Sequence, residues 1–453
     1  MKRIFSLLLV GFLTIAPITG MTNISYAINN EGNSSTQTTN ENINPIKGTL
    51  NENNTSTEVN SNPNSLPLQA KYAVLLDYET GKTLYSKNGN KKLYPASTTK
   101  MWTAYMVLKN VDDLNDVIKI EDLPTIEGSS MYLKEGESFT VKQLLDALLV
   151  HSSNDAAFVL ARYTGKGDVN KFVDMMNTEA ESIGAKNSHF TNPHGLPDPN
   201  HYTTAHDMAV MARKAMSNTV FREIVKTTYI KFDATEAYPF ERHFSNTNQL
   251  LTSNNKMLYK GKEVNIKYDI VDGIKTGFTD AAGKCLLSSA VKDDRRVISA
   301  VFNSTNDGLY LDSRELLDYG FDNFYSATVL DKDDYVKTKK VMFTKQKELI
   351  YKPKFSYKLT LRNGEQKKDY TIKSNLDKIN LPIKKGDKVG TLDVYSGSEK
   401  DKTIDLIAQN DLSSSFAFIT ENTLVLNICK GVLGLVVFIT VIGIGFKIKN
   451  KKK

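Results

Sequence analysis

The chain has 453 residues and a formal net charge of +7, which is enough sequence for more than one folded domain. Lys2, Arg3 and five lysines at the C-terminus account for that entire net charge, so the sequence between them is neutral overall. A neutral body gives no electrostatic reason to expect nucleic-acid binding. The two cysteines, Cys285 and Cys429, lie in settings too different to predict a disulfide bond.

The N-terminal segment carries an export signature. Met1-Lys2-Arg3 precede an apolar run from Ile4 to Ile18, and the small-x-small sequence Ser25-Tyr26-Ala27 follows. This pattern predicts a signal peptide over residues 1–27 and export of the mature protein. Residues 28–65 are rich in Asn, Ser and Thr and poor in large apolar residues, which predicts a disordered spacer.

A hydroxyl lies three residues before an amine in the segment Tyr94-Pro95-Ala96-Ser97-Thr98-Thr99-Lys100. Pro95 ends the extended segment before it, and apolar residues recur at helical spacing from Met101 to Leu108. The segment is therefore predicted to begin a helix, with Ser97 at its start and both side chains on one face. A serine needs a nearby base to act as a nucleophile, and a buried lysine of lowered pKa can be that base.

The spacing alone does not identify a site, because Ser253 and Lys256 repeat it in a polar run that we predict to be a loop. Two further motifs supply context. Ser152-Ser153-Asn154 lies between an apolar helical stretch and a second helical run, which predicts a tight turn that projects a hydroxyl and an amide into a cleft. Lys275-Thr276-Gly277 lies among β-type residues, where glycine lets a substrate lie along the strand.

Ser152-Ser153-Asn154 alone fits a turn or a helix cap, and Lys275-Thr276-Gly277 alone fits a polar strand end. Together, on helix, turn and strand in that order, the three motifs are the signature of serine β-lactamases and penicillin-binding proteins. From about Leu66 to Leu412 the chain resembles the low-molecular-mass penicillin-binding proteins, the serine D-alanyl-D-alanine carboxypeptidases of peptidase family S11. The resembling stretches outside the motifs are Ala73–Asp77 through Thr80-Gly81-Lys82, Asn192–Tyr202 and Leu316–Phe321.

The resemblance implies roles for the three catalytic candidates. Ser97 would attack the peptide bond between two terminal D-alanines and form an acyl-enzyme, and Lys100 would be the base for that attack. Ser152 would relay a proton to the leaving D-alanine. No metal or cofactor is implied, and the six histidines include no tight metal-ligand cluster.

The resemblance also implies a substrate-binding set. Asn154 would hold Lys100 or the substrate amide, and Lys275 would anchor the terminal carboxylate while helping to keep Lys100 neutral. Thr276 would add a hydroxyl, Gly277 would leave room for the substrate, and the N–H groups of Phe278 and the nucleophile would form the oxyanion hole.

One position departs from the family pattern. Many relatives carry an arginine that binds the terminal carboxylate shortly before the Leu-Leu-Asp-Tyr-Gly-Phe stretch. Here the matching place holds Leu309 or Tyr310, and Arg314 is out of register. We therefore expect carboxylate recognition to depend more heavily on Lys275 and Thr276.

The fold class expected is α+β. Residues 66–324 are predicted to form a β-lactamase/DD-peptidase-like domain with helices on an antiparallel sheet. Its hairpins would join Tyr72–Tyr78 to Thr83–Tyr85 and Cys285–Val291 to Arg296–Phe302. Residues 325–412 show short alternating runs, which predict a small all-β domain that acts as a spacer from the membrane or as a partner-binding module.

The C-terminal segment predicts membrane attachment. A linker at residues 413–423 would lead to a transmembrane helix at 424–446 and a basic cytoplasmic tail at 447–453, which leaves the catalytic domain outside. An interfacial helix is the alternative.

Three functions are open from the sequence. The first is a carboxypeptidase that trims peptidoglycan stem peptides ending in D-Ala-D-Ala, is inhibited covalently by β-lactam antibiotics and serves peptidoglycan biosynthesis and cell shape. The second is a class A-like β-lactamase, which needs a deacylating glutamate, but no convincing Glu-x-x-Leu-Asn follows Ser152. The third is a catalytically silent penicillin-binding or wall-binding protein, against which the intact triple argues.

Overall fold

The computed structural model describes residues 65–416 and 422–451. The predicted signal peptide, residues 28–64 of the predicted spacer, residues 417–421 of the predicted linker and the last two residues of the predicted tail lie outside the described residues.

The first part of the described chain contains both strands and helices. Its strands are β1 (Tyr72–Asp77), β2 (Thr83–Lys87), β3 (Val117–Lys119), β4 (Ser138–Thr140), β5 (Tyr229–Phe232), β6 (Arg242–Ser245), β7 (Lys256–Tyr259), β8 (Lys262–Asn265), β9 (Val271–Thr279), β10 (Gly283–Lys292) and β11 (Arg295–Ser304). Its helices are α1 (Thr99–Asn110), α2 (Val141–Asp146), α3 (Asn154–Thr164), α4 (Val169–Ser182), α5 (Ala205–Ala215), α6 (Thr219–Lys226), α7 (Gln249–Thr252) and α8 (Gly308–Asn323). A 3₁₀ turn at Ala96–Thr98 precedes α1, and a π-helical turn at Ala147–His151 follows α2.

A five-stranded antiparallel sheet in the order β2-β1-β11-β10-β9 forms the centre of this part. Both predicted hairpins are confirmed, since β1 pairs with β2 and β10 pairs with β11. Asp293 and Asp294 at the second hairpin have φ angles of 50° and 56°, the positive values that a two-residue hairpin turn requires. Strand β9, which carries the Lys-Thr-Gly motif, lies at one edge of the sheet.

Helices cover both faces of this sheet, so a strand such as β1 buries apolar side chains on both sides. Val74 and Leu76 of β1 belong to the core shared with α1 and α3–α6, whereas Ala73 and Leu75, which point the other way, pack in the core shared with α8. Trp102 fixes α1 within the larger core, because its indole N–H donates a hydrogen bond of 3.0 Å to the Met176 carbonyl on α4. These observations confirm the predicted α+β class.

The second part of the chain is an all-β domain, as predicted. Its strands are β12 (Phe324–Leu330), β13 (Lys337–Lys340), β14 (Glu348–Pro353), β15 (Tyr357–Arg362), β16 (Tyr370–Leu376), β17 (Lys388–Ser396) and β18 (Glu399–Ala408). Five of them form a sheet in the order β13-β14-β18-β17-β16, and β12 pairs with β15. This domain has its own apolar core, and Lys82 Nζ of the first part donates to the Thr360 carbonyl at 2.9 Å.

The last element is helix α9 (Thr423–Lys451), which contains the predicted anchor. Its segment Thr423–Gly445 has a mean hydropathy of 2.3 over 23 residues, which is long and apolar enough to cross a membrane. That property rests on length and composition alone.

Candidate active site

Ser97 lies in a 3₁₀ turn, two residues before α1 begins, and not at the N-cap of the α-helix itself. The turn forms because Thr98 donates twice to the Pro95 carbonyl, from its backbone N–H at 3.3 Å and from its hydroxyl at 2.6 Å. The Ser97 hydroxyl is therefore not used as a helix cap. It accepts a hydrogen bond of 2.9 Å from Lys100 Nζ, so the predicted pair does share one face.

Lys100 is fully buried at the base of this pair, with an exposed fraction of 0%. Its Nζ also donates to the His194 carbonyl at 2.7 Å. Burial lowers the pKa of this amine well below its ordinary value, and the nearby Lys275 cation lowers it further, while Asp155 acts in the opposite direction. A neutral amine is thus accessible beside the Ser97 hydroxyl, and it can accept the hydroxyl proton.

The loop at residues 192–196, part of the resembling stretch Asn192–Tyr202, holds the His194 carbonyl in place. Asn192 fixes this loop from both sides, since its Oδ1 accepts from the Gly195 N–H at 2.7 Å and its Nδ2 donates to the Leu196 carbonyl at 3.1 Å. Gly195 has a φ of 86°, and a Cβ there would lie 1.9 Å from the Ala96 carbonyl oxygen. Only glycine lets the loop approach the serine turn this closely.

The Ser-x-Asn motif follows the π-helical turn. Ser152 ends that turn in the left-handed conformation, with a φ of 72°. The Asn154 side-chain amide donates to the Glu127 carbonyl, and its Oδ1 is buried without a hydrogen-bond partner among the described residues. Asn154 makes no hydrogen bond to Lys100 among the described residues, and it lines the same cleft as Ser97 and Ser152.

A second loop, at residues 127–133, packs against this motif and was not found from the sequence. The Asp155 carboxylate fixes it by accepting hydrogen bonds from the Leu133 N–H at 3.0 Å and the Ser130 hydroxyl at 2.6 Å. The Asn154 N–H donates to the Ser129 carbonyl at 2.7 Å. Asp155, which directly follows Ser152-Ser153-Asn154, is the one sequence feature that could have indicated the contact between this loop and the motif.

The Lys-Thr-Gly motif lies on edge strand β9, opposite the serine turn. A Cβ on Gly277 would lie 3.1 Å from the backbone nitrogen of Ser97, so the glycine permits close contact between strand and turn. Lys275 is 1% exposed and donates to the Thr276 carbonyl at 3.0 Å, and burial lowers its pKa to about 7. The Thr276 hydroxyl shares a hydrogen bond of 2.7 Å with that of Thr247.

Six of the predicted site residues line one cleft of about 470 Å³, namely Ser97, Ser152, Asn154, Thr276, Gly277 and Phe278. Lys100 and Lys275 lie beneath the cleft surface and do not line it. The lining residues that the sequence did not reveal include Gly128, Ser129, Gly195, Thr247, Thr279 and Lys284. None of the residues described as lining the cleft is an aspartate or glutamate.

The alternative pair lies elsewhere, as expected. Ser253 follows α7 and lies in the predicted loop, whereas Lys256 is the first residue of strand β7, where it forms an exposed ion pair of 2.7 Å with Glu263. Arg314 does not line the cleft either, and its guanidinium lies 3.9 Å from the Asp318 carboxylate on the same helix. The arrangement at the cleft therefore has the parts of a serine acyl-transfer site with a lysine base.

Comparison with known proteins places this site in a family. A profile of the D-alanyl-D-alanine carboxypeptidases, peptidase family S11, matches residues 56–306, and the C-terminal domain of penicillin-binding protein 5 matches residues 324–414. The chain belongs to the S11 family of D-alanyl-D-alanine carboxypeptidases, a family of serine peptidases.

Individual relatives agree with this assignment. The chain is 32% identical to the D-alanyl-D-alanine carboxypeptidase DacF of Bacillus subtilis, over 78% of this chain and 88% of the relative. It is 31% identical to DacC of Escherichia coli, over 72% and 80%. Among solved structures, penicillin-binding protein 5 of Haemophilus influenzae has a TM-score of 0.57 and 28% identity, covering 77% of this chain and 99% of that one. DacD of Francisella tularensis has a TM-score of 0.53 and 27% identity, with 80% and 97% covered.

Proposed function

We propose that this protein is a serine-type D-Ala-D-Ala carboxypeptidase that removes the terminal D-alanine from peptidoglycan stem pentapeptides. The observation that carries the proposal is the 2.9 Å contact between the Ser97 hydroxyl and the fully buried Lys100 amine at the base of the cleft. Family membership supports it, because the relatives are named as enzymes with this activity.

In the first step, Ser97 Oγ bonds to the carbonyl carbon of the penultimate D-alanine while its proton passes to neutral Lys100. The carbonyl oxygen becomes an oxyanion that needs two converging donors. The Ser97 N–H is one, because the first turn of a helix leaves its N–H groups without intrahelical acceptors. The Phe278 N–H on edge strand β9 is the other.

In the second step, the peptide C–N bond breaks and terminal D-alanine leaves with the proton that Lys100 accepted. Ser152, 5% exposed and on the cleft wall, relays this proton. Water then attacks the ester on Ser97, and the shortened peptide leaves with a new carboxyl group. The Asn154 Oδ1 is free to accept the substrate amide N–H during both steps.

Covalent inhibition by β-lactams follows from the same chemistry, because Ser97 can attack the lactam carbonyl in the same way. The nitrogen released when the ring opens stays attached to the acyl group, so no leaving group departs. The lining of the cleft also argues against the class A-like β-lactamase, since no carboxylate among its described lining residues can activate a deacylating water.

We further propose residues 66–324 as the catalytic domain, 325–412 as a spacer domain and 424–446 as a membrane-spanning anchor, with the catalytic domain outside and the basic tail inside. The 23-residue apolar segment of α9 supports the anchor. Roles in peptidoglycan biosynthesis and cell shape are typical of the family.

Incubation of the purified protein with a peptide ending in D-Ala-D-Ala tests the proposal. Release of D-alanine is expected, with stable labelling by benzylpenicillin. Rapid benzylpenicillin turnover without D-alanine release would favour a β-lactamase, and the absence of both activities would favour a silent binding protein.

A further inference from the structure

One lysine on the cleft wall takes no part in the proposed acylation steps. Lys284 is the only residue with a charged side chain among the described residues that line the cleft. Its ammonium forms no ion pair and no hydrogen bond with any residue in the described part of the chain. It lies 4.2 Å from the centroid of the Phe278 ring. The cleft surface thus carries one positive charge and no negative one.

The strand register places this charge beside the Lys-Thr-Gly motif. Lys284 on β10 pairs directly with Phe278 on β9, so the two side chains lie on the same face of the sheet. Thr276, two residues along β9, shares that face. Contact with the Phe278 ring holds the ammonium in place. Leu309 and Tyr310 complete this wall and contribute no charge.

Lys275, which the sequence suggested as the carboxylate anchor, is less well placed for it. It is 1% exposed, does not line the cleft and already donates to the Thr276 carbonyl. Burial also lowers its pKa to about 7, so that part of it is neutral at neutral pH. Lys275 is better placed to lower the pKa of Lys100 from beneath the cleft. Lys284 is then the cation at the cleft surface.

We propose that the Lys284 ammonium binds the C-terminal carboxylate of the peptide substrate and thereby selects peptides with a free C-terminus. The inference rests on the proposed carboxypeptidase function, which supplies the carboxylate. An ammonium without a counter-ion in a partly apolar wall attracts an anion more strongly than one in open solvent.

The test compares two substrates, a peptide ending in D-Ala-D-Ala and the same peptide with a C-terminal carboxamide. Lys284→Met should lower kcat/KM for the free acid roughly 10- to 100-fold, the range for loss of a charged hydrogen bond, and leave the carboxamide unaffected. Lys284→Arg keeps the positive charge and should retain most of the wild-type preference for the free acid over the carboxamide. The matched control is Lys292→Met, which removes an exposed charge from the same strand and should change neither rate.

The outcomes separate the possible failures. Equal losses on both substrates, or no loss on either, would overturn the carboxylate role. If the wild-type protein releases no D-alanine, the same variants are compared for acylation by benzylpenicillin and by its methyl ester, which again differ in a carboxylate. A wild-type protein that neither releases D-alanine nor is acylated would overturn the proposed function and this inference with it.

Discussion

Replacing Lys100 with methionine removes the proposed base and keeps an unbranched side chain in the buried site. The variant loses the 2.9 Å contact to the Ser97 hydroxyl and the 2.7 Å contact to the His194 carbonyl. General-base catalysis contributes roughly 10²- to 10⁴-fold. We therefore expect the second-order rate of labelling by a fluorescent penicillin to fall by that factor, equivalent to about 3–5 kcal/mol of activation free energy. Lys100→Arg should lose as much, because arginine stays charged.

The stability of the same variant tests whether Lys100 is buried as a neutral amine. The pKa of Lys100 is lowered in the folded wild-type protein and is near its ordinary value of 10.5 in the unfolded chain. At a pH between those two pKa values, unfolding therefore takes up a proton. Wild-type stability should therefore fall as pH decreases from about 10.5 toward the folded pKa. The methionine variant lacks this dependence, so its Tm should rise relative to wild type as pH falls.

Two controls complete the experiment. Ser97→Ala should abolish labelling, and Lys256→Met, in the alternative pair, should leave it unchanged. A folded Lys100→Met protein that is labelled within tenfold of the wild-type rate would refute the role of Lys100 as the base.

Three further predictions follow from the geometry. Lys275→Met removes a cation that lowers the Lys100 pKa, so the acidic limb of the pH profile for acylation should move to higher pH, and an unmoved limb would count against the coupling. Gly195→Ala should reduce both Tm and acylation more than Gly184→Ala, since both sites have positive φ but only Gly195 lacks space for a Cβ. Gly184→Ala should cost about 1–2 kcal/mol from backbone strain alone. The full-length protein should resist carbonate extraction from membranes and become soluble when residues 423–453 are deleted, whereas extraction of the full chain would indicate an interfacial helix.

The sequence predicted the elements that carry the motifs because local patterns determine them. Helical spacing after Ser97 and β-type residues around Lys275 were sufficient to predict α1 and β9, and hairpins were predicted around Thr80-Gly81 and Asp293-Asp294. The 3₁₀ turn at Ser97 was missed, because it depends on hydrogen bonds from Thr98 to the Pro95 carbonyl that have no apolar periodicity.

Contacts between distant segments could not be predicted in the same way. The His194 carbonyl accepts a hydrogen bond from the Lys100 amine although the two residues are 94 positions apart in the sequence, and no local pattern links them. Lys284 was missed for a similar reason, since its place on the cleft wall follows from its register with Phe278. The loop at residues 127–133 has neither strand nor helix periodicity, and Asp155 fixes its position through side-chain hydrogen bonds.

The most direct test of the central claim is rapid-quench mass spectrometry of the protein mixed with a peptide ending in D-Ala-D-Ala. We predict a covalent adduct with the mass of the peptide less D-alanine, located on Ser97, which forms together with free D-alanine and then decays. Ser97→Ala should show neither adduct nor release. Undiminished D-alanine release by Ser97→Ala, or an adduct on Ser253, would contradict the account.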